Sequence, residues 1–90
     1  MAVMITVDQP GMTKEMYDGI SSTLLPLLAD RPGFIAHAAW PVGGGFQVME
    51  IWESQADHDS WATEVVLPAM PEGMPLMRMT YQPLHNVTTA

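Results

Sequence analysis

The chain contains no cysteine, which excludes disulfide bridges and thiolate sites and says little about compartment. Basic residues are almost as scarce: Lys14, Arg31 and Arg78 stand against ten acidic residues, for a net charge of −7. Phosphate backbones and anionic membranes attract clustered Lys and Arg, so neither nucleic acid nor a membrane surface is expected as a partner. No apolar run approaches the roughly 20 residues that span a bilayer, and the first residues lack the basic-then-apolar pattern of a secretion signal. Cytoplasmic localisation is the default expectation. Charged residues as a whole make up only 14%, well under the usual share.

What the chain has instead is apolar bulk. The hydrophobic fraction is 48%, and nine of the 90 residues are methionine. A chain of this length makes one domain, here residues 1–90, with an unfavourable ratio of surface to volume. So few charges on so small a body suggest that part of its surface is buried against a second copy. The methionines suit an adaptable interior that either fills gaps or accepts a bulky apolar ligand.

The hydrophobic pattern divides the chain into six main elements. Val3, Ile5, Thr6 and Val7 mark a strand over Ala2 to Asp8, broken by Gln9-Pro10-Gly11. Thr13 is placed to cap a helix running to about Ala29, with Met16, Ile20, Leu24, Leu27 and Leu28 on one face and Pro26 kinking its last turns. Arg31-Pro32-Gly33 ends it. Strands follow over Phe34 to Trp40 and Phe46 to Trp52, joined by a loop at Pro41 to Gly45. Ser54 and Asp57 form an S-x-x-D capping box that starts a helix at Gln55. Its stripe reads His58, Trp61, Ala62, Val65, Val66 and Ala69, to about Met70. A fourth strand spans Leu76 to about Tyr81 and continues irregularly toward Val87.

The order β-α-β-β-α-β predicts an α+β, ferredoxin-like fold, an antiparallel sheet with two helices on one face. In the third strand Phe46, Val48, Glu50 and Trp52 alternate with Gln47, Met49, Ile51 and Glu53, so both faces carry large apolar groups. A sheet open to water on one side alternates more cleanly. A homodimer paired through the sheet face is the expected cover.

The segments Arg31-Pro32-Gly33-Phe34, Glu50-Ile51-Trp52-Glu53-Ser54 and Leu84-His85-Asn86-Val87 resemble the antibiotic biosynthesis monooxygenase-like group of dimeric α+β barrels, over essentially the full length. The resemblance implies that fold. It is compatible with cofactor-independent quinone-forming oxygenases, haem-degrading enzymes, aromatic polyketide cyclases and members without known activity, and fold does not choose among them. Trp61 follows Trp52 by nine positions, as in the haem degraders. Their axial histidine, however, falls on Pro71 here and their strand-one asparagine near Val7. Haem is therefore not expected, and no cofactor is.

A cofactor-free oxygenase needs a base that ionises a phenol or enol, a donor for the developing oxyanion and a dry aromatic pocket. His58 is the candidate base, because a polar imidazole on an apolar helix face must meet a partner or a ligand. Arg78 or Tyr81 would stabilise the enolate. Trp52, Trp61 and Phe46 would pack the rings, and His37 and Glu50 would line the substrate site. Each has a plainer reading beside it: His58 as a satisfied core histidine, the tryptophans as core, Glu50 as an ion-pair partner of Arg78. The three histidines lack metal-ligand spacing, and Gly43-Gly44-Gly45 lacks the context of a phosphate loop. The same pocket would also serve a polyketide cyclase or isomerase that consumes no oxygen, or an accessory protein that binds a small apolar or aromatic ligand without reaction.

Overall fold

A computed structural model describes residues 1–70, 72 and 77–90. Strands β1 (Val3–Pro10), β2 (Phe34–Val42), β3 (Gly45–Trp52) and β4 (Arg78–Pro83) form one antiparallel sheet in the order β2-β3-β1-β4. Helix α1 (Lys14–Leu28) connects β1 to β2, and a second helical stretch begins with α2 (Gln55–Trp61). This is the expected ferredoxin-like α+β arrangement. Expectations placed on Leu76 lie outside the described residues.

Alternation along the strands decides which side the helices cover. Val3, Ile5 and Val7 of β1 and Phe46, Val48, Glu50 and Trp52 of β3 are all buried. With Leu24 and Leu28 of α1 and Trp61 of α2, Val3, Ile5, Val7, Val48 and Trp52 form one core. Each leucine buried there contributes roughly 1.5–3 kcal/mol. The intervening residues Met4, Thr6, Gln47, Met49 and Ile51 are only half-buried. Trp40 of β2 pairs with Gln47 on that same outer face and is 38% exposed. Among the described residues no helix covers this partly apolar outer sheet face.

Thr13 caps α1 as expected, its hydroxyl accepting from the Met16 N–H at 3.1 Å. The inner face differs from the expected one. Leu27 is 51% exposed, and Tyr17 takes a place on the inner side, packed on the core. Tyr17 lies seven residues before Leu24, two full turns, so its ring follows the same stripe. The helix runs through Pro26. Ser22, whose carbonyl loses its partner there, is exposed and open to water.

The hairpin is tighter than its sequence suggests. Strand β1 continues through Pro10, and β2 and β3 stay paired to Val42 and Gly45. Only Gly43 and Gly44 remain in the turn. Gly44 adopts φ of +80°, a conformation that glycine reaches without Cβ strain.

The second helical stretch holds a further departure. After α2 the turns widen into a π segment over Ala62–Val66, then narrow into α3 (Leu67–Ala69), with the Leu67 N–H bonded to the Ala62 carbonyl. Pro68 explains the widening. In a regular α-helix its ring would press on the Glu64 carbonyl and supply no donor to it. The extra residue per turn changes which side chains face inward. Ala69 of the expected stripe is exposed, whereas Ala62, Val66 and Met70 join His58 along the space between helix and sheet.

Gly33 fixes where β2 begins. Its φ is +83°, and a Cβ there would overlap the side chain of Asp57, which is held by the Ser54 hydroxyl at 3.0 Å. Gly33→Ala is expected to destabilise the fold by about 1–3 kcal/mol. A urea midpoint equal to that of the unsubstituted protein would contradict this account.

Candidate active site

Pairing in the hairpin creates the central feature. A two-residue turn at Gly43-Gly44 sets His37 opposite Glu50, both on the helix-covered face. The His37 Nδ1 lies 2.7 Å from Glu50 Oε2. A carboxylate only accepts hydrogen bonds, so Nδ1 carries a proton, and in the neutral form of the ring Nε2 keeps its lone pair. The Tyr17 hydroxyl meets that Nε2 at 2.8 Å. On the other carboxylate oxygen, Glu50 Oε1 accepts from the Trp52 indole N–H at 2.9 Å. The result is a chain Tyr17–His37–Glu50–Trp52 in which every named polar atom has a partner. Tyr17 itself is held by stacking on Phe46, with centroids 5.2 Å apart.

His58 stands on the other side of the same carboxylate. It is 3% exposed. Its Nε2 is 3.9 Å from Glu50 Oε1 and its Nδ1 3.7 Å from Asp59 Oδ1, both longer than a hydrogen bond. Nδ1 finds no partner among the described residues. Burial pushes the imidazole below its ordinary value, and the Glu50 and Asp59 carboxylates oppose that shift only in part. His58 is therefore a neutral, loosely held imidazole at neutral pH. The unfolded chain binds this proton more readily than the folded one. Stability from His58 is thus complete above about pH 6.5 and is lost as pH falls through its lowered value. We expect the urea midpoint of the unsubstituted protein to drop across that window more steeply than that of His58→Gln; parallel curves would disprove it.

These groups open into a cleft of about 90 Å³ between sheet and helices, room for several waters or the edge of a small ligand. Tyr17, His37, Glu50, His58 and Trp61 contribute to its wall, with Met12, Met70, Met77 and Met79 among the apolar lining. At one end Gln9 donates to the Met77 sulfur at 3.3 Å, while its Oε1 is buried without a partner among the described residues. None of the three basic residues of the chain lies in this wall.

Of the site residues expected from sequence, His58, His37, Glu50 and Trp61 are brought together. Trp52 and Phe46 stand behind them as supports, outside the cleft wall. Arg78 is not part of this group. It is paired in register with Asp8, on the outer side of the sheet, and forms no ion pair with Glu50. Period-two alternation puts Arg78 and Tyr81 on opposite faces, so they never shared one site. Tyr81 faces inward but donates to Asp59 at 3.2 Å. Burial first, then the Asp59 carboxylate, push its phenol above the ordinary value, so it is a neutral donor already committed elsewhere. Tyr17 was missed, although its spacing from Leu24 and Leu28 was readable.

Among the described residues no three His, Asp or Glu side chains gather as a metal site would require, and no helix is long and apolar enough to cross a membrane. Haem does not fit this donor set. Both His37 nitrogens are engaged, both His58 nitrogens face carboxylates, His85 is exposed, and buried Val7 offers no hydrogen bond.

The fold is a ferredoxin-like α+β arrangement, the architecture that the sequence resemblance implied. Comparison with solved structures bears out that architecture. The chain is similar to SnoaB, a cofactor-independent oxygenase from Streptomyces nogalater, at 10% identity and a TM-score of 0.69, covering 96% of this chain and 94% of that one. It is similar to a monooxygenase from the gene ActVA-Orf6 of Streptomyces coelicolor, solved with the ligand nanaomycin D, at 16% identity, a TM-score of 0.58 and coverages of 99% and 92%. It is also similar to the haem degrader MhuD of Mycobacterium tuberculosis, at 16% identity, a TM-score of 0.65 and coverages of 99% and 100%. At such identities the likeness establishes the fold. No family model and no curated protein sequence matches the chain.

Proposed function

We propose that the protein is a small cofactor-independent monooxygenase-type enzyme that deprotonates an aromatic or polyketide-type substrate in this cleft. The observation that carries the reading is the hydrogen-bonded chain of a phenol, an imidazole and a carboxylate in the wall of an otherwise apolar cavity. Such a set accepts a proton from a weak acid and holds the resulting imidazolium beside a carboxylate. An enolised anthrone that loses its proton becomes electron-rich enough to reduce oxygen directly. Its methylene and one O₂ give a carbonyl and one water, so no external reductant enters the balance. The four methionines supply a wall that repacks around flat rings, and Trp61 supplies a face to stack on. The oxygenases SnoaB and ActVA-Orf6 share the fold, which makes this chemistry a reasonable one to test first.

Oxygen uptake with 1,8-dihydroxyanthrone provides that test, run beside His37→Ala, His58→Ala and a protein-free control. Uptake above the control that falls in either variant supports the reading. Uptake no faster than the control overturns it, and anthrone-like ketones turned over without oxygen would place the site with the cyclases and isomerases.

The uncovered outer face enters the same proposal as the interface of a homodimer. Met4, Ala36, Trp40, Met49 and Ile51 make its apolar centre. Light scattering is expected to give twice the chain mass, reduced toward that of one chain by Met49→Asp, which would place a charge in that centre.

A further inference from the structure

Two imidazoles flank one carboxylate in this cleft, and their surroundings differ enough to assign them different work. His37 has its Nδ1–H fixed on Glu50 and offers the Nε2 lone pair toward Tyr17. His58 also lines the cleft, packed edge-on against the rings of Trp52 and Tyr81 at 5.7 and 5.6 Å. It has no hydrogen-bonded carboxylate to stabilise an imidazolium. Charged groups around the pair are few. Glu50 faces both, Asp59 faces only His58, and Lys14, Arg31 and Arg78 lie outside the wall. A ligand carrying a permanent negative charge would therefore meet Glu50 with no cation in the wall to offset the repulsion, Arg31 being placed over the Trp61 ring at 5.8 Å.

We propose that the cleft takes an uncharged, flat ligand bearing a weakly acidic hydroxyl, that this hydroxyl docks on the Tyr17 hydroxyl, and that its proton ends on His37 Nε2. The inference rests on the reading above that the cleft holds a hydroxylated aromatic ligand, and it adds which group takes the proton and which charge state is selected. The transfer is a relay. The ligand O–H bond breaks and its proton moves to the Tyr17 oxygen, as the Tyr17 proton moves to His37 Nε2. Neutral ligand and neutral His37 become ligand anion and imidazolium, and Tyr17 ends unchanged. Glu50 is the positioning residue, holding the tautomer that makes Nε2 an acceptor. Stacking on Phe46 keeps the phenol ring of Tyr17 from turning its hydroxyl away.

The probe is 1,8-dihydroxyanthraquinone, already oxidised at the reacting carbon, whose phenolate absorbs at longer wavelength than its phenol. Binding, read by tryptophan quenching, is expected to raise its ionisation constant by about tenfold or more. Tyr17→Phe and His37→Gln are expected to abolish that rise while the probe still binds. Anthraquinone-2-carboxylate is expected to bind roughly tenfold or more weakly. Circular dichroism verifies that each variant is folded, and either variant alone suffices. Ionisation that persists in both variants but disappears in His58→Gln overturns the assignment, as does equal binding of the carboxylate or no binding of the probe. Ionisation without oxygen uptake from the anthrone would leave this inference standing and sink the oxygenase reading.

Discussion

Glu50→Gln is expected to lower turnover of an ionisable aromatic substrate by roughly 10²–10⁴-fold, the usual contribution of a positioned base, while the fold survives. The side chain keeps its shape, so its oxygen still accepts from Trp52 Nε1. Its amide N–H₂, however, now faces His37 Nδ1, where the carboxylate oxygen stood at 2.7 Å. The amide donates, Nδ1 becomes an acceptor, and the ring proton moves to Nε2. That proton then points at the Tyr17 oxygen, and the site has lost its lone pair. Because neutral hydrogen bonds replace charge-assisted ones, the stability loss should be only about 1–2 kcal/mol. Nitrogen-15 spectra of His37 would record the tautomer in both proteins. An unchanged tautomer, or a change in KM with kcat intact, would refute the positioning role of Glu50.

The fold was legible because the strongest sequence signals were local. Period-two strands, the Thr13 and Ser54 caps and the Arg31-Pro32-Gly33 break each depend on residues a few positions apart. The site was legible only where a single residue stood out, as His58 did against its apolar stripe. The chemistry proposed for it rests instead on a pairing across the hairpin, His37 with Glu50, whose register follows from the length of one turn. Reading Pro41 to Gly45 as a longer loop hid that pairing. Of the two alternative donors, Arg78 and Tyr81, the alternation of the strand that carries both sends Arg78 to the outer face. Placing Ala69 inward failed for another reason. Pro68 widens the preceding turn, and a proline signals a helix distortion without saying whether it ends, bends or becomes a π turn.

Trp52 is expected to respond in the opposite sense from Glu50. It is fully buried, meets Phe34 edge-on at 5.5 Å, lies between His58 and Trp61, and donates to Glu50. Trp52→Ala removes the largest fully buried side chain of the core and should cost about 3–5 kcal/mol. A domain of this size has only about 5–15 kcal/mol to lose, so the urea midpoint of the variant should fall steeply. Trp52→Phe keeps an aromatic ring but leaves Glu50 Oε1 without its donor, costing about 1–3 kcal/mol. The bond between Glu50 Oε2 and His37 survives in that variant, so the His37 tautomer should hold and turnover should fall less than in Glu50→Gln. Stability and turnover should then rank these two variants in opposite orders, with Trp52→Phe the less stable and Glu50→Gln the less active. Urea midpoints and turnover measured on the same preparations give both rankings. If the two orders agree, the carboxylate and the indole act as one structural unit, and the separation of support from chemistry drawn here is wrong.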